Sequence, residues 1–276
     1  MVTLTFDFDA ESAQVRKSPH LPVALSKGQF ARIGLQRILE LLEKHRIRAT
    51  FFTPGWTAQQ YQNEVREIAE RGHEVATHGY LHENLSEVTA EEEAEIHRKS
   101  IDIIGNLLGR KPTGFRAPYW EWSNRTLGLI RGSGLRYDSS LMDSDRPYPI
   151  HRDGESSGVY ELPVEWFLDD WTLFEVQHQS PSAVLDSWRS EFDAVYDLGV
   201  GYFMLTMHPE CIGRASRILL LGQLIDHMFR KRNIVFARCD ELVEHLTKSC
   251  QGRSARLSEE EMKFWRKKEK PNPRKT

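Results

Sequence analysis

The chain has 276 residues, of which 37 are basic and 40 are acidic, so its formal net charge is −3. This length suffices for one large domain with a sizeable core, and the absence of a long basic stripe excludes an electrostatic footprint for nucleic acid. The three cysteines are too few and too scattered for a disulfide framework, and no apolar run reaches the roughly 18 residues of a membrane span. We therefore expect a cytoplasmic protein with no nucleic-acid or membrane partner.

Strand-like and helix-like segments alternate from the start of the chain. The apolar run from Val2 predicts a first strand, and "ARIGLQRILELLEKH" then places Ile33, Ile38, Leu41 and Leu42 on one helical face. The next run, "IRATFFTPGW", predicts a second strand that ends at its Pro-Gly pair. After it, "QNEVREIAERGHEVATHGYLHENL" predicts a helix, a short strand and a loop that carries histidines.

The alternation continues through the second half of the chain. Thr89 and Glu92 have the spacing of a capping box and open a helix that Gly109 ends. Another helix is predicted at "SRILLLGQLIDHMFRKR". Further strands are predicted at "TGFRAP", "LRYDS", "VYELPV", "YFMLTMH" and "NIVFA".

This order of elements is typical of parallel strands joined by crossover helices. Seven or eight strands in about 250 residues favour an α/β fold with a (β/α) barrel, and a doubly wound open sheet is the alternative. The barrel domain is predicted over residues 1–252, and the highly charged segment 253–276 is predicted to be a solvated tail. The alternative for this segment is a short helix that docks on a neighbouring subunit through Phe264 and Trp265.

Two acids stand at the end of the first strand, in "VTLTFDFDAES". Asp7 and Asp9 are two residues apart, so they point to the same face if the strand extends that far. Two neighbouring carboxylates repel each other, and their burial needs a partner. The pair either caps a helix or meets a lysine, or one acid holds a cation while the other handles protons.

Two histidines follow the third predicted strand, in "THGYLHENL". His78 and His82 are four residues apart, a spacing that can aim two imidazoles at one metal ion, although exposed pairs with this spacing also occur by chance. A carboxylate with two imidazoles leaves coordination positions open for water. Such a ligand set is typical of catalytic metal sites.

Two further polar residues follow predicted strands. Arg116 comes directly after one in "GFRAPYWEWS", where it can pair with Asp7, and aromatic residues after it can form a pocket wall. His208 closes an apolar strand in "LTMHPECIGR" and can act as a general acid near neutral pH. Each residue alone also fits a structural role. Because all four motifs lie at the carboxyl ends of predicted strands, we expect them to meet at one rim of the barrel.

These four motifs together resemble those of the polysaccharide deacetylases of carbohydrate esterase family 4, the NodB-homology fold. The resemblance extends from about Val2 to about Leu246 and is most specific in "HGYLHE". It implies a distorted (β/α) barrel of seven or eight parallel strands, NodB-like, and metal-dependent hydrolysis of an amide C–N bond.

The resemblance also implies roles for individual residues. The implied catalytic residues are Asp7 as base, Arg116 as its tether, Tyr119 as backbone oxyanion donor and His208 as acid. The implied metal ligands are Asp9, His78 and His82. The predicted substrate pocket is lined by Glu83, Trp120, Trp122 and Trp166.

The sequence departs from the family pattern at its first motif. Phe8 separates the two acids, which are adjacent in the usual Thr-Phe-Asp-Asp-Gly motif, so either Asp7 or Asp9 can be the base, and Glu11 is a further candidate. The segments "YDSSLMDSDRPY", "ELPVEWFLDDW" and "MHPECIGR" resemble a branch that contains peptidoglycan-deacetylase-like proteins and allantoinase- or imidase-like cyclic amide hydrolases. That branch implies a homotetramer. The acid that orients His208 is predicted to be Asp138, Asp143 or Asp145.

We therefore predict a metal-dependent hydrolase that acts on an N-acetylated sugar or a related amide. Zn²⁺ is the first choice of metal, and Co²⁺, Mn²⁺ or Fe²⁺ would accept the same ligands. One alternative is a cyclic imide or ureide hydrolase. The second alternative is a non-catalytic carbohydrate-binding module.

Overall fold

A computed structural model of the chain describes residues 1–152 and 155–250. The predicted tail over residues 253–276, with Phe264 and Trp265, lies outside the described residues. None of the helices in the described part of the chain combines the length and the hydropathy of a membrane span.

A single sheet of eight strands forms the centre of the fold. Its spatial order is β6-β7-β5-β4-β3-β2-β1-β8, and every neighbouring pair is parallel except β6 with β7, which is antiparallel. The strands are β1 (Val2–Asp7), β2 (Thr50–Thr53), β3 (Glu74–Thr77), β4 (Gly114–Phe115), β5 (Tyr137–Asp138), β6 (Tyr148–Arg152), β7 (Glu155–Glu161) and β8 (Phe203–Met207). The predicted α/β class and the mostly parallel, distorted barrel are confirmed.

The strand predictions were wrong at two places. The predicted strand "NIVFA" contributes only one bridge, between Phe236 and Val2, because the chain adopts a left-handed conformation at Asn233 and enters a helix at Cys239. The antiparallel strand β6 had no signal in the sequence. It contains Pro149 among polar residues. A proline within a run of strand-forming residues argues against a strand in sequence analysis, although an edge strand tolerates a proline.

The helices lie between the strands as the alternation predicts. They are α1 (Ser12–Lys17), α2 (Pro22–Gln29), α3 (Ala31–His45), α4 (Gly55–Gln60), α5 (Gln62–Glu70), α6 (Ala90–Leu108), α7 (Thr126–Gly132), α8 (Pro181–Asp197), α9 (Pro209–Ile212), α10 (Ala215–Met228) and α11 (Cys239–Cys250). The predicted capping box of α6 is present, because Thr89 and Glu92 exchange side-chain to backbone hydrogen bonds.

Helix α3 has the predicted bounds but a different buried face. Ile38 and Leu42 are buried as predicted, whereas Ile33 is more than half exposed. The contact face instead includes Gly34, whose missing side chain lets α3 approach the backbone of Pro209 at the start of α9. This close contact fixes the segment that follows β8.

Candidate active site

The four polar motifs meet at the carboxyl ends of neighbouring parallel strands. Asp7 ends β1, His78 follows β3, Arg116 follows β4 and His208 follows β8. Because β8, β1, β2, β3 and β4 are consecutive in the sheet, Asp7, His78 and His208 line one pocket at the rim, and Arg116 reaches it through its hydrogen bond to Asp7. The expected convergence is therefore present.

Asp9, His78 and His82 form a compact group at the floor of this pocket. Asp9 Oδ1 lies 3.6 Å from His78 Nε2, and Asp9 Oδ2 lies 3.3 Å from His82 Nε2. One donor atom from each residue lies within 4.8 Å of the others, and all three side chains are buried. The backbone of His82 is left-handed, with φ 54°, which turns its ring back towards His78 at 5.0 Å between ring centroids.

The side-chain atoms of these three residues that are free to coordinate fit a metal ion. His78 Nδ1 lies 2.8 Å from the Arg116 carbonyl oxygen, so the ring donates its proton there and leaves Nε2 as a lone-pair donor. His78 Nε2 and Asp9 Oδ1 are both buried, and neither has a hydrogen-bond partner in the part of the chain that the structure describes. Buried polar atoms of this kind are satisfied in proteins, so a cation between the imidazoles and the carboxylate accounts for both.

The electrostatics of the group follow from burial and from charge. Burial lowers the pKa of His78, although the charges of Asp7 and Asp9 oppose this effect. Burial acts in the same direction on His82, but the Asp9 carboxylate outweighs it and raises its pKa to about 9. The imidazoles in turn outweigh the desolvation of Asp9 and lower its pKa. At the pocket floor, neighbouring positive charge therefore balances the negative charge of the Asp9 carboxylate.

Arg116 binds the other acid of the first motif. Its Nη1 donates to Asp7 Oδ1 at 2.6 Å, and its side chain is fully buried. Ser139 holds the guanidinium from the opposite side, because Arg116 Nε donates to the Ser139 carbonyl oxygen and Nη2 donates to its hydroxyl. Asp7 Oδ2 lies 3.7 Å from His78 Nε2. Asp7 therefore has a fixed orientation beside the group of Asp9, His78 and His82.

His208 is held by an acid that sequence analysis did not identify. Its Nδ1 lies 2.7 Å from Asp170 Oδ1, and its backbone N–H donates to both Asp170 oxygens at 3.1 Å. Burial disfavours the imidazolium, but the hydrogen bond and charge of Asp170 raise the pKa of His208 well above its ordinary value. His208 Nε2 faces the pocket, 3.9 Å from Asp9 Oδ2.

The prediction that Asp138, Asp143 or Asp145 orients His208 is wrong. Asp138 is fully buried on β5 and interacts with Glu161 on β7, and burial raises the pKa of both carboxyl groups. Asp143 accepts a hydrogen bond from Tyr148, and Asp145 is exposed. None of the three lines the pocket of His208, and Asp143 and Asp145 lie instead in a separate cleft with Phe203 and Met204 of β8.

The pocket has a cavity volume of about 430 Å³ and a wall of aromatic side chains. Trp120 and Trp166 line it and contact each other at 4.4 Å between ring centroids, and Trp171 lines it beside His208. The Tyr119 ring packs edge-on against His82 at 4.4 Å. Tyr119 and Trp120 both have left-handed backbones, with φ 59° and 57°, a strained arrangement that turns the chain at the pocket.

Three residues predicted to serve the site lie elsewhere. Glu83 accepts hydrogen bonds from the backbone N–H groups of Tyr80 and Leu81, so it shapes the loop between the histidines and does not line the cavity. Trp122 packs into a hydrophobic cluster beside β4. Glu11 accepts a hydrogen bond from the Tyr61 hydroxyl and does not join the metal-binding group.

Sequence analysis did not identify several residues at the pocket. They are Gln14, Asp169 and Glu210, which line the pocket, and Asp170, which orients His208. Asp169 and Asp170 follow a predicted strand in "ELPVEWFLDDW", so the rule applied to the other motifs identifies them as candidates as well. Glu210 is buried, and burial together with the Asp9 charge raises its pKa well above the ordinary value.

Comparison with known proteins identifies the family. The family model for polysaccharide deacetylases matches residues 1–137. A peptidoglycan deacetylase from Helicobacter pylori is 31% identical over 260 residues, which cover 82% of this chain and 88% of that protein. The chain belongs to the polysaccharide deacetylase family. Members of this family hydrolyse the C–N bond of N-acetyl groups and depend on a metal ion, so the chain is a deacetylase-type hydrolase.

Solved structures show the same architecture across this deacetylase's relatives. A Mycobacterium smegmatis protein assigned to the polysaccharide deacetylases has a TM-score of 0.83 at 34% identity, and the match covers 93% of this chain and 92% of that one. Puue allantoinase has a TM-score of 0.80 at 19% identity, with 93% and 91% covered. The second likeness is one of fold alone.

Proposed function

We propose that this deacetylase removes the acetyl group from an N-acetylated amino sugar. One observation carries the proposal: the Asp9, His78 and His82 group lies between an acid held by Arg116 and a histidine held by Asp170. A metal site with a fixed carboxylate on one side and a fixed imidazole on the other is an arrangement that can hydrolyse an amide.

Asp9, His78 and His82 would hold the metal, and Asp7 would be the base. The geometry supports this choice between the two acids, since Asp9 faces both imidazoles whereas Asp7 is bound to Arg116. Zinc is the proposed ion, because two imidazoles and a carboxylate form a typical catalytic zinc site. When bound, the ion would polarise the acetyl carbonyl and lower the pKa of water.

The remaining groups divide the proton transfers and the charge stabilisation. Asp7 takes the proton of the attacking water, and Arg116 keeps the carboxylate aligned for this transfer. The Tyr119 backbone N–H stabilises the oxyanion of the tetrahedral intermediate. His208, protonated and oriented by Asp170, gives its proton to the leaving nitrogen.

Two alternatives are weaker. The fold likeness to an allantoinase supports hydrolysis of a cyclic imide or ureide, but it rests on 19% identity. A non-catalytic carbohydrate-binding module would have no use for buried groups that are costly to desolvate, namely Asp7, Asp9 and Arg116. In such a module Asp9→Ala would leave sugar affinity intact, whereas in an enzyme it would abolish turnover.

The test combines metal analysis with an acetate-release assay on an N-acetylglucosamine oligomer and a ring-opening assay on a cyclic imide. We expect about one metal ion per chain and acetate release, both lost in His78→Ala. His151→Ala is the matched control, because His151 is exposed on β6. Metal-free wild-type protein that opens the imide and leaves the sugar acetylated would overturn the proposal.

Two properties complete the proposal. A cytoplasmic location is supported by the free thiols of Cys211 and Cys239, which are buried and unbridged. A homotetramer is the assembly that the family branch implies. Light scattering during size-exclusion chromatography tests the assembly, since a tetramer has four times the 32.0 kDa mass of one chain.

A further inference from the structure

Two buried polar atoms of the pocket have no role in the proposed chemistry. Glu210 Oε2 and Gln14 Oε1 are each buried without a hydrogen-bond partner among the described residues, and both side chains line the cavity. Glu210 is only 3% exposed. Leaving such an atom unpaired costs as much as breaking a hydrogen bond, so both atoms indicate a ligand that supplies the missing partners.

The two residues reach the pocket from adjacent strands. Gln14 lies in α1, which follows β1, and Glu210 lies in the first turn of α9, which follows β8. Glu210 comes two residues after His208, so it lies on the side of the pocket from which the leaving nitrogen is protonated. A group at this position contacts the part of the substrate that carries the amine.

Both unpaired atoms are oxygens that accept hydrogen bonds. The charges around Glu210 include Asp9, Asp170 and His208, and none of these residues supplies a hydrogen bond to its Oε2. An amino sugar presents hydroxyl donors on ring carbons next to the carbon that bears its acetylated nitrogen. A cyclic imide presents one N–H and two carbonyl acceptors, which leaves two acceptors of the protein poorly matched.

We propose that Glu210 and Gln14 form a hydroxyl-binding subsite that selects an N-acetylated amino sugar over amides without neighbouring hydroxyls. The inference rests on the proposed deacetylase function and names the residues that would recognise its substrate. Glu210 and Gln14 act in this scheme as specificity-determining residues, and neither takes part in the bond-breaking step.

The experiment compares two amides that differ in their hydroxyls. Wild type, Glu210→Ala, Glu210→Gln and Gln14→Ala are assayed for kcat/KM on an N-acetylglucosamine oligomer. N-acetylglucosamine and N-cyclohexylacetamide, which lacks the hydroxyls, are then tested as competitive inhibitors of the same reaction. Glu40→Gln is the control, because it is the same substitution at an exposed glutamate of α3, away from the pocket.

We expect Glu210→Ala to lower kcat/KM by about 10- to 100-fold, and Gln14→Ala by about 10-fold, at unchanged metal content. Both variants should weaken inhibition by the sugar and leave inhibition by N-cyclohexylacetamide unchanged. Glu210→Gln should restore most of the activity, since its amide oxygen still accepts a hydrogen bond.

Three outcomes would overturn the inference. Loss of metal in Glu210→Ala would make Glu210 a metal ligand, and equal weakening of both inhibitors would make its role structural. Variants that match Glu40→Gln would show that the subsite does not exist. Wild-type protein without acetate release from the sugar would instead refute the proposed function itself, so the two failures are distinguishable.

Discussion

The contact between α3 and α9 leads to a specific prediction, because the two helices leave no space between them for an added methyl group. In Gly34→Ala the added Cβ would lie 1.9 Å from the Pro209 carbonyl oxygen and 2.7 Å from its carbonyl carbon. Since Cβ atoms essentially never come closer than 3.0 Å to such atoms, α9 must retreat by about 1 Å. Both neighbours of Pro209, His208 and Glu210, move with it.

The expected effect falls on catalysis more than on stability. A displacement of about 1 Å at a catalytic group costs on the order of 10²-fold in rate, so kcat of Gly34→Ala should fall by about that factor. Overpacking costs about 1–3 kcal/mol of stability, and the better helix propensity of alanine offsets up to about 1 kcal/mol of it. The net loss in the free energy of unfolding should therefore be about 0–3 kcal/mol.

The assays are acetate release at saturating substrate and urea unfolding followed by circular dichroism. The matched control is Gly128→Ala in α7, where an added Cβ meets no atom within 4 Å. This control should keep wild-type kcat and gain about 0.5–1 kcal/mol in stability. Wild-type kcat in Gly34→Ala would refute the reasoning, because it would show that α9 adapts without moving His208.

Three further predictions concern buried acids and the metal. Asp170→Asn should lower kcat by about 10²-fold or more with unchanged metal content, since the imidazole of His208 loses its orienting carboxylate. The control is Asp193→Asn, which breaks a similar pair with His227 near the surface and should leave kcat unaltered. Removal of the metal by a chelator should abolish acetate release, and added Zn²⁺ should restore it; activity that survives complete metal removal would contradict the proposed site. Burial and the Asp240 charge raise the pKa of Glu74 to about 7. The folded state therefore binds the proton of the Glu74 carboxyl more tightly than the unfolded state. The stability that this proton binding contributes is lost as pH rises from about 4.5 to about 7. Glu74→Gln should remove this loss, worth up to about 3 kcal/mol, and parallel pH profiles of urea unfolding for the two proteins would contradict the assignment.

The sequence predicted the fold wherever hydrophobic periodicity was strong. Helix α3 begins and ends where the pattern places it, and the buried parallel strands β1 and β8 were recognised from continuous apolar runs. Strand β6 was missed because its stability comes from pairing with β7, a tertiary contact that a proline-containing polar segment does not indicate.

The residues of the candidate site also divide into those that sequence patterns predicted and those that they did not. Metal-binding and proton-transfer candidates were predictable because each follows a strand and the ends of parallel strands share one rim. The partner of His208 was missed although Asp170 also follows a predicted strand, because the sequence does not show which of several acids the folded sheet brings to His208. Trp122 was misplaced for a related reason, because an aromatic residue near a site fits the core as well as a pocket.

Arg116 has a consequence for the motions of the protein. Its guanidinium hydrogen-bonds Thr5 and Asp7 on β1, Ser139 after β5 and the sulfur of Met204 on β8, so it connects strands that are not neighbours in the sheet. Local opening of the catalytic floor would break all of these bonds at once. Amide hydrogen exchange in β1 and β8 should therefore proceed only through global unfolding, which makes the reactive centre and the sheet one cooperative unit.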